Sequence, residues 1–273
     1  MDVDIPMVIT WAVLACGAIW LFDLLVLRPR RRRAAEALEA SGTPATELER
    51  VLAEPALVEY ARSFFPVLLL VLVLRSFLGE PYQIPSESMV PTLEVGDFVL
   101  VNKYAYGLRL PVLGTKILDV GSPQRGDIMV FIPEHDPRYY IKRVIGLPGD
   151  VVRWENKALF INGKRASYEF VREFELDLPS LPRPIPVREY LETLDGRTHS
   201  EYRYPFTEPA QEWVVPENSY FMMGDNRGRS EDSRRWPNPF VSESRIVGKA
   251  VAIWVHKDPG LHLPTFARNR WFE

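Results

Sequence analysis

Residues 7–27 form a run of 21 positions interrupted only by Thr10, Gly17 and Asp23. At 1.5 Å of rise per residue, such a run crosses the hydrocarbon core of a bilayer as a helix. A second apolar run, residues 64–78, contains "FFPVLLLVLVL" and is broken only by Arg75 and Ser76. Extended back to about Tyr60, it becomes a second span with Arg62 and Arg75 near its ends, where long cationic stems reach headgroups. A cleavable leader is the alternative for the first run, but Asp2 and Asp4 stand where a leader carries Lys or Arg.

Between the runs, "RPRRRR" at 28–33 places five arginines in six positions, and short Arg-rich loops stay on the cytoplasmic side. The expected organisation is an N-terminal segment and first transmembrane helix (1–27), a cytoplasmic connector (28–60), a second transmembrane helix (61–79) and an external region (80–273). The N-terminus and the external region then lie outside a multi-pass cell-membrane protein, with lipid as a partner. The connector is rich in Ala, Glu and Leu and cut by "SGTP" at 41–44, which reads as helix, turn, helix. The arginine cluster lacks the interleaved aromatics of a nucleic-acid patch, and a net charge of −3 gives no reason to expect nucleic acid. The only cysteine, Cys16, lies inside the first run, so no internal disulfide forms and the external region depends on its own core.

Beyond residue 79 the texture changes to β-branched and aromatic runs cut by Gly and Pro. "DFVLVNKYAYG", "DIMVFIP", "YYIKRVIGLPG", "DVVRWENKALFINGKRA" and "RIVGKAVAIWVHKD" read as strands, with "INGK" at 161–164 as a hairpin turn. The external region is therefore expected to be mainly β. Residues 168–217, with the proline-dense "LPSLPRPIP" inside, have weaker periodicity and suggest an inserted subdomain with long loops, around 165–217 in all.

Familiar catalytic signatures are missing: no glycine-rich phosphate loop, no H-E-x-x-H, no C-x-x-C pair and no G-x-S-x-G. His135, His199, His256 and His262 are scattered without ligand spacing and read as surface or loop residues. "GDNRGRSEDSR" at 224–234 has an acidic look but lacks the calcium-loop glycine. No metal and no organic cofactor are expected. What remains is serine with lysine: a hydroxyl becomes a nucleophile when a neighbour takes its proton, and a lysine amine does so when burial lowers its pKa. Lys142, between Tyr140, Ile141, Val144 and Ile145, is the candidate, with Arg143 on the opposite strand face and charged. Taken alone, a lysine in a strand reads first as an exposed edge charge, and the surrounding motifs decide.

"PSESMVPTL" at 85–93, "GDFVLVNKYAYG", "RGDIMVF", "YYIKRVIGLPGD" and "GDNRGRSEDSR", in that order after two apolar runs, resemble bacterial type I signal peptidase, the leader peptidase family. The resemblance covers the second run and most of the external region. It implies the β fold shared by signal peptidases and SOS-repressor proteases, preceded by two transmembrane α-helices. By the same resemblance Ser88 is the nucleophile and Lys142 the general base, while Ser86 joins the Ser88 backbone N–H in the oxyanion hole. Ser230 orients the lysine amine, Asp232 and Arg234 form a supporting salt bridge, and Asp225 and Asn226 have structural roles. Tyr82, Ile84, Pro85, Met89, Leu93, Tyr140 and Ile141 become candidates for the apolar lining of the substrate site, although each singly fits ordinary β-core packing. Glu87 departs from the small residue common between the two serines; facing solvent it is harmless, and paired with Lys142 it would keep the amine protonated.

The implied activity is a membrane serine endopeptidase that cuts secreted preproteins, emerging from the export machinery, after small-x-small sites, from the periplasmic side of the inner membrane. Two other readings remain. A self-cleaving repressor-type regulator shares the Ser-Lys logic but would be soluble, and a catalytically dead tethered adaptor would not need Ser86, Ser88, Lys142 and Ser230 together.

Overall fold

The computed structural model describes residues 5–77, 80–109, 116–118 and 120–272. Asp2, Asp4 and the expected helix boundary at Gly79 lie outside the described residues. The chain divides into two compact units.

The first unit is helical. Helix α1 (Ile5–Phe22) runs through a five-residue π-helical stretch, Asp23–Leu27, into α2 (Arg28–Ala40). Asp23, the one carboxylate of the first apolar run, is buried and accepts a hydrogen bond from Arg31 Nη1 at 2.6 Å. The arginine-rich run thus supplies the cation that an acidic group in an apolar helix requires. A turn at 41–44 leads into α3 (Ala45–Leu52), and α4 (Ala56–Phe77) carries Pro66 in its interior. Gly17 lets α1 and α4 approach closely, since a Cβ there would stand 2.8 Å from the Phe65 ring. Trp20 and Phe65 pack beside it with ring centroids 5.5 Å apart. Two stretches are long and apolar enough to cross a membrane, and Trp11, Leu25, Leu57 and Val67 are exposed on them. Helix α4 begins at Ala56, four residues before the expected start, and Arg62 pairs with Glu54 at 2.7 Å.

The second unit is β. In chain order its strands are β1 (Glu80–Gln83), β2 (Asp97–Asn102), β3 (Leu108–Arg109), β4 (Lys116–Leu118), β5 (Ile128–Phe131), β6 (Tyr140–Gly146), β7 (Val151–Glu155), β8 (Ala158–Ile161) and β9 (Lys164–Arg165). They continue as β10 (Ser167–Leu176), β11 (Ile185–Leu194), β12 (Arg197–Arg203), β13 (Gln211–Val214), β14 (Ser219–Met223), β15 (Phe240–Ser242), β16 (Ile246–His256) and β17 (Arg270–Trp271). The main sheet is ordered β1-β2-β16-β5-β6-β14-β15, with β17 also on β16, and every pairing is antiparallel.

Apolar side chains cover this sheet on both faces. Ile128, Val130 and Ile141 join one cluster with Ile84, Met89, Leu93, Val99 and Val101. Met129, Phe131 and Val144 join another with Tyr220, Met222 and Trp236. Double coverage explains why "DIMVF" and "YYIKRVIG" read as continuous apolar runs rather than as alternating ones. "INGK" forms the expected two-residue turn between β8 and β9, with φ of 51° at Asn162 and 79° at Gly163, the backbone that a type I′ hairpin demands.

The insert corrects the sequence reading. Residues 165–217 are not mainly long loops: β10, β11 and β12 make a regular three-stranded sheet, and β13 joins β7, β8 and β9. Of the prolines in "LPSLPRPIP", Pro179, Pro182 and Pro184 lie in the hairpin connection 177–184, and Pro186 is already in β11. Periodicity misleads here because β10 is exposed along most of its length, so neither face carries a consistent apolar row.

Arg143 lies on the face of β6 opposite Lys142, as alternation requires, and is itself buried. Its Nε and Nη2 donate to Asp225 at 2.8 and 2.6 Å, and its Nη1 donates to the Gly126 carbonyl at 2.7 Å. Removing one member of such a pair strands the other in a dry interior. Arg143→Met is expected to destabilise the full chain by about 3–5 kcal/mol, read as a lowered urea midpoint in detergent. Arg188→Ala, which removes an exposed pair with Glu173, should leave that midpoint unchanged.

Candidate active site

After β1 the chain passes through Ser86 in extended conformation, φ −138° and ψ 161°, and enters a single 3₁₀ turn, Glu87–Met89. The turn is held from behind by Asn226. Its Nδ2 donates to the Glu87 carbonyl at 2.9 Å, and its backbone N–H donates to the Ser88 carbonyl at 3.2 Å. Tyr204 OH fixes the Asn226 amide by donating to Oδ1 at 2.6 Å. Met89 and Leu93 are driven inward to 0% exposure, leaving Ser88 on the outer side of the turn at 7%.

Ser88 Oγ meets Lys142 Nζ at 2.7 Å, and the amine also donates to the Ile141 carbonyl at 3.0 Å. Ser86 Oγ lies 3.3 Å from Ser88 Oγ. Lys142 is 3% exposed and pairs in register with Met129 across β5, with the Tyr140 ring centroid 5.6 Å from the nitrogen. Burial lowers its pKa to about 8, although Asp232, Asp225 and Glu231 pull the other way.

Those carboxylates do not capture the amine because each of the two buried ones already has a guanidinium. Burial alone would raise the Asp225 carboxyl, but Arg143 outweighs it and holds the pKa below the ordinary value. Asp232 is likewise pushed up by burial and brought down further by Arg234, whose Nε and Nη2 both donate to it at 2.9 Å. Asp232 also accepts from the Gly224 N–H at 3.0 Å. The Asp232–Arg234 pair expected from the sequence is formed, and "GDNRGRSEDSR" keeps its two buried aspartates for arginines.

Ser230 differs from expectation. Its hydroxyl is fully buried beside this loop but makes no hydrogen bond to Lys142, whose second partner is the Ile141 carbonyl. It has no well-formed hydrogen bond of its own, although it helps keep Asp232 ionised.

The site opens into a cleft of about 1100 Å³ whose lining includes Pro85, Ser86, Ser88, Tyr140, Ile141 and Lys142. Of the seven residues proposed as apolar lining, Pro85, Tyr140 and Ile141 are there. Ile84, Met89 and Leu93 are instead core residues, and Tyr82 packs partly buried against that core. The reason is local: the 3₁₀ turn and the ladder of β1 with β2 point these apolar side chains at the sheet rather than at the opening. Sequence reading also missed that His199 and His256 are buried. His199 faces Glu192 at 3.2 Å, and His256 faces Asp97 at 2.8 Å. The loop motif makes Asn226 a loop residue and contains nothing to show its reach to the Glu87 and Ser88 carbonyls.

A serine hydroxyl against a buried amine, in an open cleft on a sheet covered on both faces, has the composition of a serine hydrolase site. The family model for signal peptidase, peptidase S26, matches residues 57–255. The chain belongs to that family and is a serine peptidase. It is similar to a signal peptidase I from Pseudomonas aeruginosa, 48% identical with 98% of each chain covered, and to one from Pseudomonas fluorescens, 46% identical with 98% of each covered. A crystal structure of a signal peptidase I from Enterococcus faecalis V583 aligns at 29% identity over 48% of this chain and 98% of its own, with a TM-score of 0.29.

Gly224 stands where the loop crosses the back of the Ser88 turn. A Cβ there would fall 2.3 Å from Ser88 O and 2.3 Å from Ser230 Oγ. Gly224→Ala therefore forces the Ser88 carbonyl to move, and misplacement of that order costs about 10²-fold in rate. The expected result is that loss in kcat/KM with an unchanged far-ultraviolet circular dichroism spectrum.

Proposed function

We propose that this chain is a membrane-bound serine endopeptidase that frees exported preproteins from their signal peptides, with Ser88 as nucleophile and Lys142 as general base. Membership of the signal peptidase family supports the removal of signal peptides. The observation that carries the assignment of roles is the 2.7 Å contact between Ser88 Oγ and a Lys142 amine whose pKa burial has lowered to about 8.

In its neutral form the amine donates to the Ile141 carbonyl and turns its lone pair toward Ser88. As Ser88 Oγ attacks the scissile carbonyl, its proton passes to Lys142, and negative charge develops on the carbonyl oxygen. The Ser88 backbone N–H and the Ser86 hydroxyl are the donors for that charge, and preorganised donors of this kind typically matter by roughly 10²–10³ in rate. The Lys142 ammonium then gives its proton to the departing amine of the mature protein. Water, deprotonated by the same amine, frees the signal peptide from Ser88. Asp232 and Arg234 hold the Gly224 N–H behind the turn, and Ser230 fills the space next to it.

The substrate enters as an extended strand whose alternate side chains test the cleft. Pro85, Tyr140 and Ile141 bound a shallow apolar surface, which suits small residues at the first and third positions before the cut. The arginines at 28–33 stay in the cytoplasm, α1 and α4 cross the inner membrane, and the β unit works on the periplasmic side. A nucleophile only eleven residues past the end of α4 is tethered to the membrane that holds the preprotein.

A purified preprotein with an Ala-x-Ala site should be cut directly after the second alanine by the intact chain in detergent, with mass spectrometry locating the cut. Ser88→Ala and Lys142→Ala should each lower the rate by at least roughly 10³-fold while circular dichroism stays unchanged. Binding without any cut would favour the tethered adaptor. Because protonated Lys142 cannot accept the serine proton, kcat/KM should rise with pH, reach half its plateau near pH 8 and fall about tenfold per pH unit below that. A profile flat between pH 5 and 7 would remove Lys142 as the base.

A further inference from the structure

Glu87, between the two serines, does not turn toward Lys142. One carboxylate oxygen accepts from the Ser180 backbone N–H at 3.3 Å, and the other accepts from the Ser180 hydroxyl. The same hydroxyl accepts from Arg229 Nη2 at 2.7 Å, and Arg229 lies 3.7 Å from the Glu87 carboxylate. A serine hydroxyl has one proton to give and lone pairs to receive, and here both directions are used. The result is a directed chain, Arg229 to Ser180 to Glu87, that joins three segments distant in sequence.

Ser180 sits in the proline-dense connection 177–184 at the end of the β10–β11 hairpin. Leu178 packs against the cluster of Val90, Leu176, Val187, Tyr202 and Tyr204, but Pro179 and Ser180 are exposed and are held chiefly by the contacts to Glu87 and Arg229. Residues 177–180 and Arg229 line the same cleft as Ser86 and Ser88. The Glu87 side chain is only 11% exposed, although it stands on the cleft side of the turn, because this loop covers it.

We propose that Glu87, Ser180 and Arg229 form a latch that fastens the insert loop to the nucleophile turn and makes residues 177–180 a binding wall for the polypeptide in the cleft. Glu87 is thus a positioning residue: it touches no reacting atom, and it sets where the wall stands relative to Ser86 and Ser88. The insert becomes part of substrate recognition. This inference rests on the peptidase reading of the cleft.

The test is steady-state cleavage of the Ala-x-Ala preprotein by the full chain in detergent, together with hydrogen exchange at 177–184 measured without substrate. Glu87→Ala and Ser180→Ala should each raise KM by about five- to tenfold, the size expected for one charge-assisted hydrogen bond, with kcat within about twofold. Because both changes remove the same interaction, the double variant should be no worse than either single one. Ser180→Thr keeps the hydroxyl and should restore the wild-type KM. Exchange at 177–184 should accelerate in both alanine variants. A contact that merely stabilises the fold would lower the melting temperature while leaving KM and loop exchange in place, and that result overturns the latch. So would additive losses in the double variant. If the wild-type chain cuts nothing, the peptidase reading fails by itself, and the exchange data still decide whether the loop is fastened by Glu87.

Discussion

Burying a lysine amine removes the water that favours its charged form, and at Lys142 this loss outweighs the pull of three nearby carboxylates. The outcome depends on how those carboxylates are occupied. Asp225 is bound by Arg143 and Asp232 by Arg234, so each presents to the amine the field of a neutral pair rather than a bare charge. Two buried aspartates without their arginines would hold the lysine as an ammonium. The same burial carries a stability cost with a definite sign. Folding lowers the pKa from 10.5 to about 8, so the unfolded chain binds the additional proton between those values and stability rises with pH across that window. Below pH 8 both states carry the proton, and the full cost of the buried ammonium remains.

Strand β6 solves two problems with consecutive residues. Alternation sends Lys142 to one face, where it reaches Ser88, and Arg143 to the other, where it anchors Asp225. Asp225 sits next to Asn226, whose two donors hold the Glu87 and Ser88 carbonyls. The Ser88 turn is therefore positioned by the strand that carries Lys142, through a path of hydrogen bonds on the far side of the sheet. A one-residue slip of β6 would exchange the two cations. The apolar neighbours Ile141, Val144 and Ile145, fixed in separate clusters, oppose such a slip.

How much of this was legible depends on sequence distance. Ser86, Ser88 and Lys142 are legible through the order of motifs that resembles signal peptidase, since Lys142 alone reads as an exposed edge charge, and the Asp232–Arg234 pair comes from the same resemblance. The main-sheet strands were legible because coverage on both faces leaves unbroken apolar runs between Gly and Pro. The split of the expected lining, with Pro85 and Ile141 in the cleft and Met89 and Leu93 in the core, was not legible. It follows from which way a single 3₁₀ turn points, and every one of those residues is apolar or proline. His199 and Ser180 were opaque for a different reason. Their partners, Glu192 of β11 and Glu87, come from other segments, and nothing in the local sequence of a histidine in a polar strand or a serine between prolines announces them.

The insert is fastened to the site at more than its loop, which argues against its being a passive elaboration. Arg227, in the same loop as Asn226 and Asp232, is fully buried between Glu192 of β11 and Glu201 of β12, and the Tyr202 N–H of β12 donates to the Asp225 carbonyl at 2.9 Å. One guanidinium between two buried carboxylates leaves them unequal: Arg227 holds Glu192 ionised against its burial, while burial pushes Glu201 up to about 7. A cluster of this kind is a poor source of net stability, because desolvation offsets much of the attraction. Its directional bonds nevertheless fix one arrangement of the insert strands against the loop. The geometry at Ser88 therefore depends on residues roughly a hundred positions later in the chain. An insert that only decorated the surface would need neither the buried arginine nor the backbone hydrogen bond.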